Sequence, residues 1–181
     1  NRLKELDELP SPYLTGVFDD LISKHPDIGW VPTLETDRGC PFKCTFCDWG
    51  SATGSKMHKL NLARIHDEIN WFADSGMPYL SMTASNFGAF KQRDKEITKI
   101  IVDCNSRTGM PTAISTSYGK NNADTVFEIS KMLLDAGIQT GAAISFQSTT
   151  PEVLNNIKRN NMRINRVSDV AEKARACSIP V

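Results

Sequence analysis

Residues 30–50, WVPTLETDRGCPFKCTFCDWG, place three cysteines immediately after an extended apolar run. The run at residues 30–36 predicts a β-strand, and residues 37–50 predict the loop that follows it. Cys40, Cys44 and Cys47 have the spacing C-x3-C-x2-C, which supplies three thiolates to one centre. Because the loops that follow the strands of a parallel α/β barrel build its active site, this loop is the candidate functional site.

The order of strand, loop and amphipathic helix recurs along the chain. Further strands are predicted at residues 79–83, 112–116, 140–146 and 179–181, and helices are predicted to start near Asn61, Asp94, Ala123, Thr150 and Ser168. Strands that alternate with helices indicate βαβ units around a parallel sheet, so the predicted fold class is α/β. About four and a half units are present against eight in a closed barrel, which predicts a partial or truncated barrel.

The composition argues against several classes of protein. Lys and Arg total 21 and balance the 21 Asp and Glu, so the chain lacks the basic field that holds nucleic acid or an anionic membrane. No apolar run reaches the roughly 18 to 20 residues that span a bilayer, and the N-terminal residues have no signal-peptide core. These features predict a cytoplasmic protein without a membrane or nucleic-acid partner.

The cysteines do not indicate a disulfide framework, because they are odd in number and three lie in one loop. Cys104 and Cys177 follow apolar residues at helical spacing, which predicts core positions for both. A structural zinc site would take four ligands, but His25 and His58 are distant from the loop in sequence and His66 lies within a predicted helix. An iron–sulfur cluster is therefore favoured, and the alternative is a zinc-binding or non-catalytic electron-transfer module.

The run from Cys40 to Cys47 resembles the signature of the radical SAM superfamily, with Phe46 in the aromatic position before the last cysteine. Residues 9–16, LPSPYLTG, and 47–54, CDWGSATG, are similar to the same regions of its cobalamin-dependent subgroup. The resemblance implies that residues 1–29 are a connector with a short helix, leading from a cobalamin-binding domain outside this chain. Residues 30–181 would be a TIM-like partial barrel of the (β/α)6 type, truncated after about four and a half units.

The same resemblance implies the chemistry. Cys40, Cys44 and Cys47 would bind a [4Fe–4S] cluster that reductively cleaves S-adenosylmethionine (SAM) to a 5′-deoxyadenosyl radical. In the cobalamin-dependent subgroup the substrate radical is often methylated, which implies cobalamin as a further cofactor and methyltransferase activity. The implied partners are SAM, an unknown small-molecule or peptide substrate, and an electron donor such as flavodoxin or ferredoxin.

The residues expected to contact SAM are Phe46, Ser85, Asn86, Ser117, Ser145, Gln147 and Arg159. Phe46 is expected to lie against the adenine. Ser85 and Asn86 follow the second predicted strand, where the family usually has a carboxylate for the SAM amino group, although an ordinary turn would use the same residues. Ser117 follows the third strand and is expected either to contact SAM or to cap a helix.

The fourth predicted strand ends at Ser145 and Gln147, which alternation places on one face. Polar side chains inside a barrel are costly unless they are hydrogen-bonded, so the ribose or carboxylate of SAM is the expected partner. Arg159 matches a basic residue that related enzymes place near the SAM carboxylate, and the alternative is a solvated helix end. Trp49 is expected either to exclude water from the site or to join the core.

Overall fold

The computed structural model describes residues 5–49, 54–119, 122–141, 145, 147–159, 164–177 and 179. It has a mixed α/β fold with a parallel sheet, as predicted. The strands are Thr33–Leu34 (β1), Asp37–Arg38 (β2), His58–Lys59 (β3), Tyr79–Met82 (β4) and Ala113–Ser115 (β5). The α-helices are Asp19–Lys24 (α1), Leu62–Asp74 (α2), Lys91–Thr108 (α3), Ala123–Asp135 (α4), Pro151–Asn156 (α5) and Ile164–Ala176 (α6).

The main sheet has the strand order β1-β4-β5, and both pairs are parallel. Its two faces differ in polarity because successive side chains of a strand point to opposite sides. Leu34, Leu80 and Ile114 are buried on one face, whereas Thr33 and Ser81 alternate with them and retain exposure on the other. The apolar face therefore carries the core, and the opposite face combines Thr33, Ser81 and Ser115 with Tyr79 and Ala113.

Helices α2, α3 and α4 pack side by side and form the core with the apolar face of the sheet. Their buried stripes are Ile65, Ile69 and Phe72 on α2, Ile97, Ile101 and Cys104 on α3, and Val126, Ile129 and Leu133 on α4. Helices α2 and α4 end near the predicted glycines, because Gly76 and Gly137 adopt φ values of 70° and 76° that favour glycine. None of the described helices combines the length and apolar composition that crossing a bilayer requires.

Several boundaries differ from the sequence prediction. The first strand is shorter than residues 30–36, since Pro32 has no N–H to donate and only its carbonyl joins the ladder, accepting from the Ser81 N–H. Helix α3 begins at Lys91 rather than near Asp94, because the Asp94 carboxylate reaches back to bond the backbone before the helix. Helix α5 begins at Pro151, as predicted.

The two last predicted strands lie partly outside the described residues. Of residues 140–146, positions 142–144 and 146 are outside, and of residues 179–181 only Ile179 is described. A parallel bridge between Ala113 and Gln139 continues the described sheet beyond β5. The last predicted helix begins at Ile164 rather than near Ser168.

The two isolated cysteines have different environments. Cys104 is 4% exposed on the buried stripe of α3, which confirms its predicted core position. Cys177 is exposed, so its predicted core position is wrong. Cys177 follows the last residue of α6, and the helical spacing that buries Ala174 does not continue to it.

The N-terminal connector packs along β1, which lies at the edge of the described sheet. The Tyr13 hydroxyl donates to the Thr33 carbonyl at 2.8 Å and accepts from the Thr33 N–H at 3.2 Å. It thereby satisfies two backbone groups on the edge strand, where an unpaired ladder attracts other strands. The Tyr13 ring meets Phe72 of α2 edge-on, with centroids 4.7 Å apart.

Helix α2 holds the same connector from the other side. The Asp7 carboxylate accepts from the Asn61 N–H at 3.0 Å. Arg64 donates to the Leu9 carbonyl at 2.5 Å and to the Glu68 carboxylate at 2.9 Å. The connector is therefore a packed part of the fold.

We predict that Tyr13→Phe lowers the free energy of unfolding by about 1 kcal/mol, because the ring is retained while both hydrogen bonds to Thr33 are lost. Urea denaturation measures the change. Tyr79→Phe is the matched control, since Tyr79 is 37% exposed on β4 and its loss of a hydroxyl leaves stability unchanged. Equal stability of Tyr13→Phe and the wild type would show that the β1 edge does not depend on this hydroxyl.

Candidate functional site

A short antiparallel ladder closes the cysteine loop at its base. Strands β2 and β3 pair with Asp37 opposite Lys59, which joins the two stems of the loop. Gly39 follows β2 with a φ of 116°, and a Cβ at this position would overlap the Lys56 carbonyl oxygen. Only glycine combines this backbone conformation with so close an approach of the two stems.

A largely buried guanidinium closes the loop a second time. Arg93, in the first turn of α3, donates to the Thr36 carbonyl at 3.0 Å and to the Leu60 carbonyl at 2.6 Å. Thr36 and Leu60 flank residues 37–59, which comprise the cysteine loop and both of its stems, so one side chain ties both stems. Hydrogen bonds from a charged donor are stronger than neutral ones, and the stems cannot separate without breaking them.

Two buried carboxylates accompany Arg93. Asp94 accepts from the backbone N–H groups of Gly88 at 2.8 Å and Phe90 at 2.9 Å, and lies 3.9 Å from Arg93. Burial raises the pKa of Asp94 from its ordinary 3.8 to about 6, although these N–H groups and Arg93 favour the charged form. Burial also raises the pKa of Asp37, in β2, although a hydrogen bond and the Arg93 charge oppose the shift.

The second and third cysteines lie on one turn. The Cys47 N–H donates to the Cys44 carbonyl at 3.1 Å, and the Thr45 N–H between them donates to the Ile157 carbonyl at 3.0 Å. Cys44 is buried, whereas Cys40 and Cys47 are half-buried. The end of α5 thus holds the turn that carries two of the three thiols.

The residues after β4 hold the first cysteine. Ser85 Oγ donates to the Gly39 carbonyl at 2.6 Å, and Asn86 Nδ2 lies 2.9 Å from Ser85 Oγ and 3.4 Å from Cys40 Sγ. Asn86 is 2% exposed. The structure therefore brings both predicted residues to the cysteine loop, and they also form the turn given as the alternative, in which the Ala89 N–H donates to the Asn86 carbonyl at 3.0 Å.

Arg159 connects a further strand end to the loop. It is 4% exposed, so the alternative of a solvated helix end is wrong. Its Nη2 donates to the Ser145 carbonyl, and its Cζ lies 6.0 Å from the centroid of the Phe46 ring. Phe46 itself is 48% exposed. The loop and the end of the fourth predicted strand therefore share one buried cation.

The other predicted contacts are at the surface. Ser145 and Gln147 are exposed, so the expectation that both are buried inside a barrel is wrong. Their side chains therefore do not need a bound partner to offset a cost of burial. Ser117 is exposed and does not cap α4, whose N-cap residue is Asn122. Trp49 is 53% exposed, so its alternative as a core residue is wrong.

The donor set of the loop fits an iron–sulfur cluster. Zinc requires its ligands within about 2.0 to 2.3 Å of one ion, whereas each thiolate of a four-iron cluster binds a different iron. Across the described ranges, no three His, Cys, Asp or Glu side chains surround a position for a single metal ion. The loop offers three cysteines and no fourth, so its donor set suits a four-iron cluster better than a structural zinc site with four protein ligands.

Sequence reasoning missed the charges beneath the loop. Asp94 has a detectable signal, because it shares one helical stripe with Ile97, Ile101 and Cys104. A carboxylate on an apolar stripe indicates a buried charge with specific partners. Arg93 carries no such signal, since an arginine in the first turn of a helix is ordinary.

Comparison with known proteins agrees with this donor chemistry. The family model described as the radical SAM superfamily matches residues 34–181. The 2-(S-pantetheinyl)-carbapenam-3-carboxylate methyltransferase of Streptantibioticus cattleyicolor is 42% identical over 163 residues, which are 89% of this chain and 24% of that protein. The cobalamin-dependent radical SAM methyltransferase TokK of Streptomyces tokunonensis is 38% identical over 180 residues, 98% of this chain and 26% of that protein.

The chain thus spans about a quarter of the length of these curated relatives. The matches confirm the resemblance to the radical SAM superfamily and to its cobalamin-dependent subgroup.

Solved structures of the radical S-adenosylmethionine methyltransferase TsrM from Kitasatospora setae have a similar fold. The form with cobalamin and a [4Fe–4S] cluster bound has a TM-score of 0.64 and 19% identity over 83% of this chain and 30% of that one. The form with tryptophan and the SAM analogue aza-SAM has a TM-score of 0.63 and 18% identity over 87% of this chain and 30% of that one. At these identities the likeness shows the fold alone.

We predict that the free energy of unfolding falls as pH rises from about 4 to above 6, and that Asp94→Asn removes much of this fall. The folded chain keeps the Asp94 proton up to a pKa of about 6, whereas the unfolded chain loses it near 3.8. The stabilisation present below pH ~4 is therefore lost as pH rises through about 6, with an upper limit of roughly 3 kcal/mol. Urea unfolding at stepped pH measures it, and asparagine retains an oxygen for both N–H groups.

The charged groups that face Asp94 are Arg93 on the same helix and Asp37 on β2. Because Asp37 also has a raised pKa, Asp94→Asn keeps a part of the decrease in the free energy of unfolding with rising pH. Asp103→Asn, on the exposed side of α3, is the matched control and should leave the pH dependence unchanged. An identical pH dependence in Asp94→Asn and the wild type would contradict the prediction.

Proposed function

The chain belongs to the radical SAM superfamily, and from this premise we propose that it is the core of a radical SAM enzyme. Cys40, Cys44 and Cys47 hold a [4Fe–4S] cluster, and residues at neighbouring strand ends hold SAM. The supporting observation is the cysteine loop after β1, bonded at its start to the residues after β4 and later to the end of α5. Active sites of α/β barrels are built at these carboxyl ends of the strands.

When bound, the cluster supplies the electron that cleaves the SAM sulfonium to give a 5′-deoxyadenosyl radical. The chain itself binds and orients. Because the loop offers three thiolates and no fourth cysteine, a bound cluster would have one iron without a cysteine ligand, to which SAM could bind. The pairing of β2 with β3 and the bonds from Arg93 keep the loop in place.

Phe46, Ser117, Ser145 and Gln147 are proposed SAM contacts with exposed side chains, and Ser85 and Asn86 are proposed contacts at the turn after β4. The Phe46 ring lies against the adenine, which offers it a flat partner. Arg159 positions Ser145 and Phe46, since its buried guanidinium donates to the Ser145 carbonyl and lies 6.0 Å from the centroid of the Phe46 ring. Arg159 is also a proposed partner of the SAM carboxylate, because a guanidinium carries five N–H donors.

The proposed architecture is a partial barrel of the (β/α)6 type, with residues 1–29 as connector and residues 30–181 as core. The sheet face that carries Thr33 and Ser81 then lines the barrel interior. Small polar side chains leave space for a substrate and can hydrogen-bond to it. Helices α2, α3 and α4 pack against the opposite, apolar face of the sheet.

For the full-length protein we propose methyl transfer, with cobalamin bound outside this chain. Both relatives are named as methyltransferases, and TokK as cobalamin-dependent. A small carboxylate substrate is the class to test first, after the carbapenam carboxylate in the name of the Streptantibioticus protein. Flavodoxin or ferredoxin would supply the electron.

We predict that anaerobic reconstitution of the full-length protein gives about four irons and four sulfides per radical SAM core. Cys40→Ala, Cys44→Ala and Cys47→Ala each lose the cluster, because each removes one of three ligands. Cys104→Ala and Cys177→Ala are the controls and keep it, since neither residue lies in the loop. Tight binding of one zinc without sulfide would contradict the proposal.

We predict that the chain binds and cleaves SAM with the adenine against Phe46. The reconstituted full-length protein forms 5′-deoxyadenosine under dithionite, and Phe46→Ala raises the KM for SAM roughly tenfold, because stacking a base on an aromatic ring is worth about 1–3 kcal/mol. Val17→Ala, at a 65% exposed position of the connector, is the control and leaves KM unchanged. A bound cluster without any 5′-deoxyadenosine would favour the non-catalytic electron-transfer alternative.

A further inference from the structure

The side chain of Asn86 lies between the end of β4 and the first cysteine of the loop. Its Nδ2 is 3.4 Å from Cys40 Sγ and 2.9 Å from Ser85 Oγ. The contact with Cys40 joins residues that are 46 positions apart. It is a side-chain contact between a residue outside the loop and a cysteine within it.

The hydrogen-bond pattern determines which way the Asn86 amide points. Ser85 has one hydroxyl hydrogen, and the 2.6 Å contact to the Gly39 carbonyl uses it, because a carbonyl can only accept. Ser85 Oγ must therefore accept from Asn86, which places the NH₂ group on this side. Its second hydrogen is then directed to Cys40 Sγ, and both donors of the amide are used.

Burial fixes this arrangement. Asn86 is 2% exposed, and its Oδ1 is buried with no hydrogen-bond partner among the described residues. A flipped amide would direct that oxygen at the cysteine sulfur, an electron-rich partner, and would lose the bond to Ser85. Both N–H donors of the amide are used within the chain, whereas its Oδ1 can still accept a hydrogen bond from the SAM amino group, so the bond to Cys40 is compatible with a SAM contact.

We propose that Asn86 is a positioning residue that donates an N–H···S hydrogen bond to the Cys40 thiolate and raises the reduction potential of the cluster. The inference rests on the proposed function, since it needs the cluster to bind there. Hydrogen bonds to the sulfurs of a cluster tune its potential. A donor stabilises the more electron-rich, reduced state more strongly, so Asn86 makes the cluster easier to reduce.

The test uses the full-length protein, reconstituted anaerobically, with two readouts. The midpoint potential is measured by redox titration monitored by electron paramagnetic resonance. Asn86→Ala shifts it to more negative values, because the donor is lost. Asn86→Asp shifts it further in the same direction, because a carboxylate of similar shape adds negative charge beside the thiolate.

Asn105→Ala is the matched control. Asn105 is a half-buried amide in the last turn of α3 that donates to the Pro111 carbonyl at 2.8 Å rather than to a thiolate. Its loss leaves the potential unchanged. A purely structural role of Asn86 would alter stability or iron content in its variants without this ordered shift in potential.

The second readout needs no stable variant. Wild-type protein labelled with ¹⁵N in asparagine side chains should show a nitrogen hyperfine coupling to the reduced cluster. Absence of that coupling, or unchanged potentials in Asn86 variants that keep four irons, overturns this inference alone. A wild-type protein that assembles no cluster overturns the proposed function, and this inference with it.

Discussion

Arg93 joins the two ends of the cysteine loop, and the geometry of the site depends on this contact. The loop between Thr36 and Leu60 has no described regular structure beyond the two-residue strands β2 and β3. Holding the ends of such a loop together costs conformational entropy. The two charge-assisted hydrogen bonds from Arg93 and the pairing of β2 with β3 offset that cost. Because Cys40 lies two residues after β2, its position beside Asn86 is then also fixed.

The same contact imposes an electrostatic requirement. A guanidinium buried between backbone carbonyls needs negative charge nearby, and the structure provides Asp37 on β2 and Asp94 on α3. Each carboxylate is itself penalised by burial, which is why the pKa of both is raised. The loop is therefore closed by a charge cluster in which Arg93 stabilises both carboxylates while the Asp37 charge disfavours that of Asp94, at the expense of the stability that an apolar core would give at this place.

Local signals explain what the sequence could predict. The order of strands and helices, the stripes on α2 and α4, and the cysteine loop all depend on neighbours close in sequence. The pairing of β2 with β3 has no periodicity to detect, because each strand has only two residues. The hydrogen bond between Asn86 and Cys40 spans 46 residues, so no local pattern predicts it. Strand alternation predicts a buried Ser145, because it shows which side chains share a face but not whether that face is covered.

The Tyr13 hydroxyl has a consequence for where this protein can be divided. A division at residue 29, where the sequence changes from connector to core, would remove the group that bonds both the N–H and the carbonyl of Thr33. The bare edge of β1 would then be next to the exposed side chain of Val31. Exposed edges of this kind recruit strands from other molecules. The connector thus protects the edge of β1 from pairing with other molecules, and a core without the connector would self-associate.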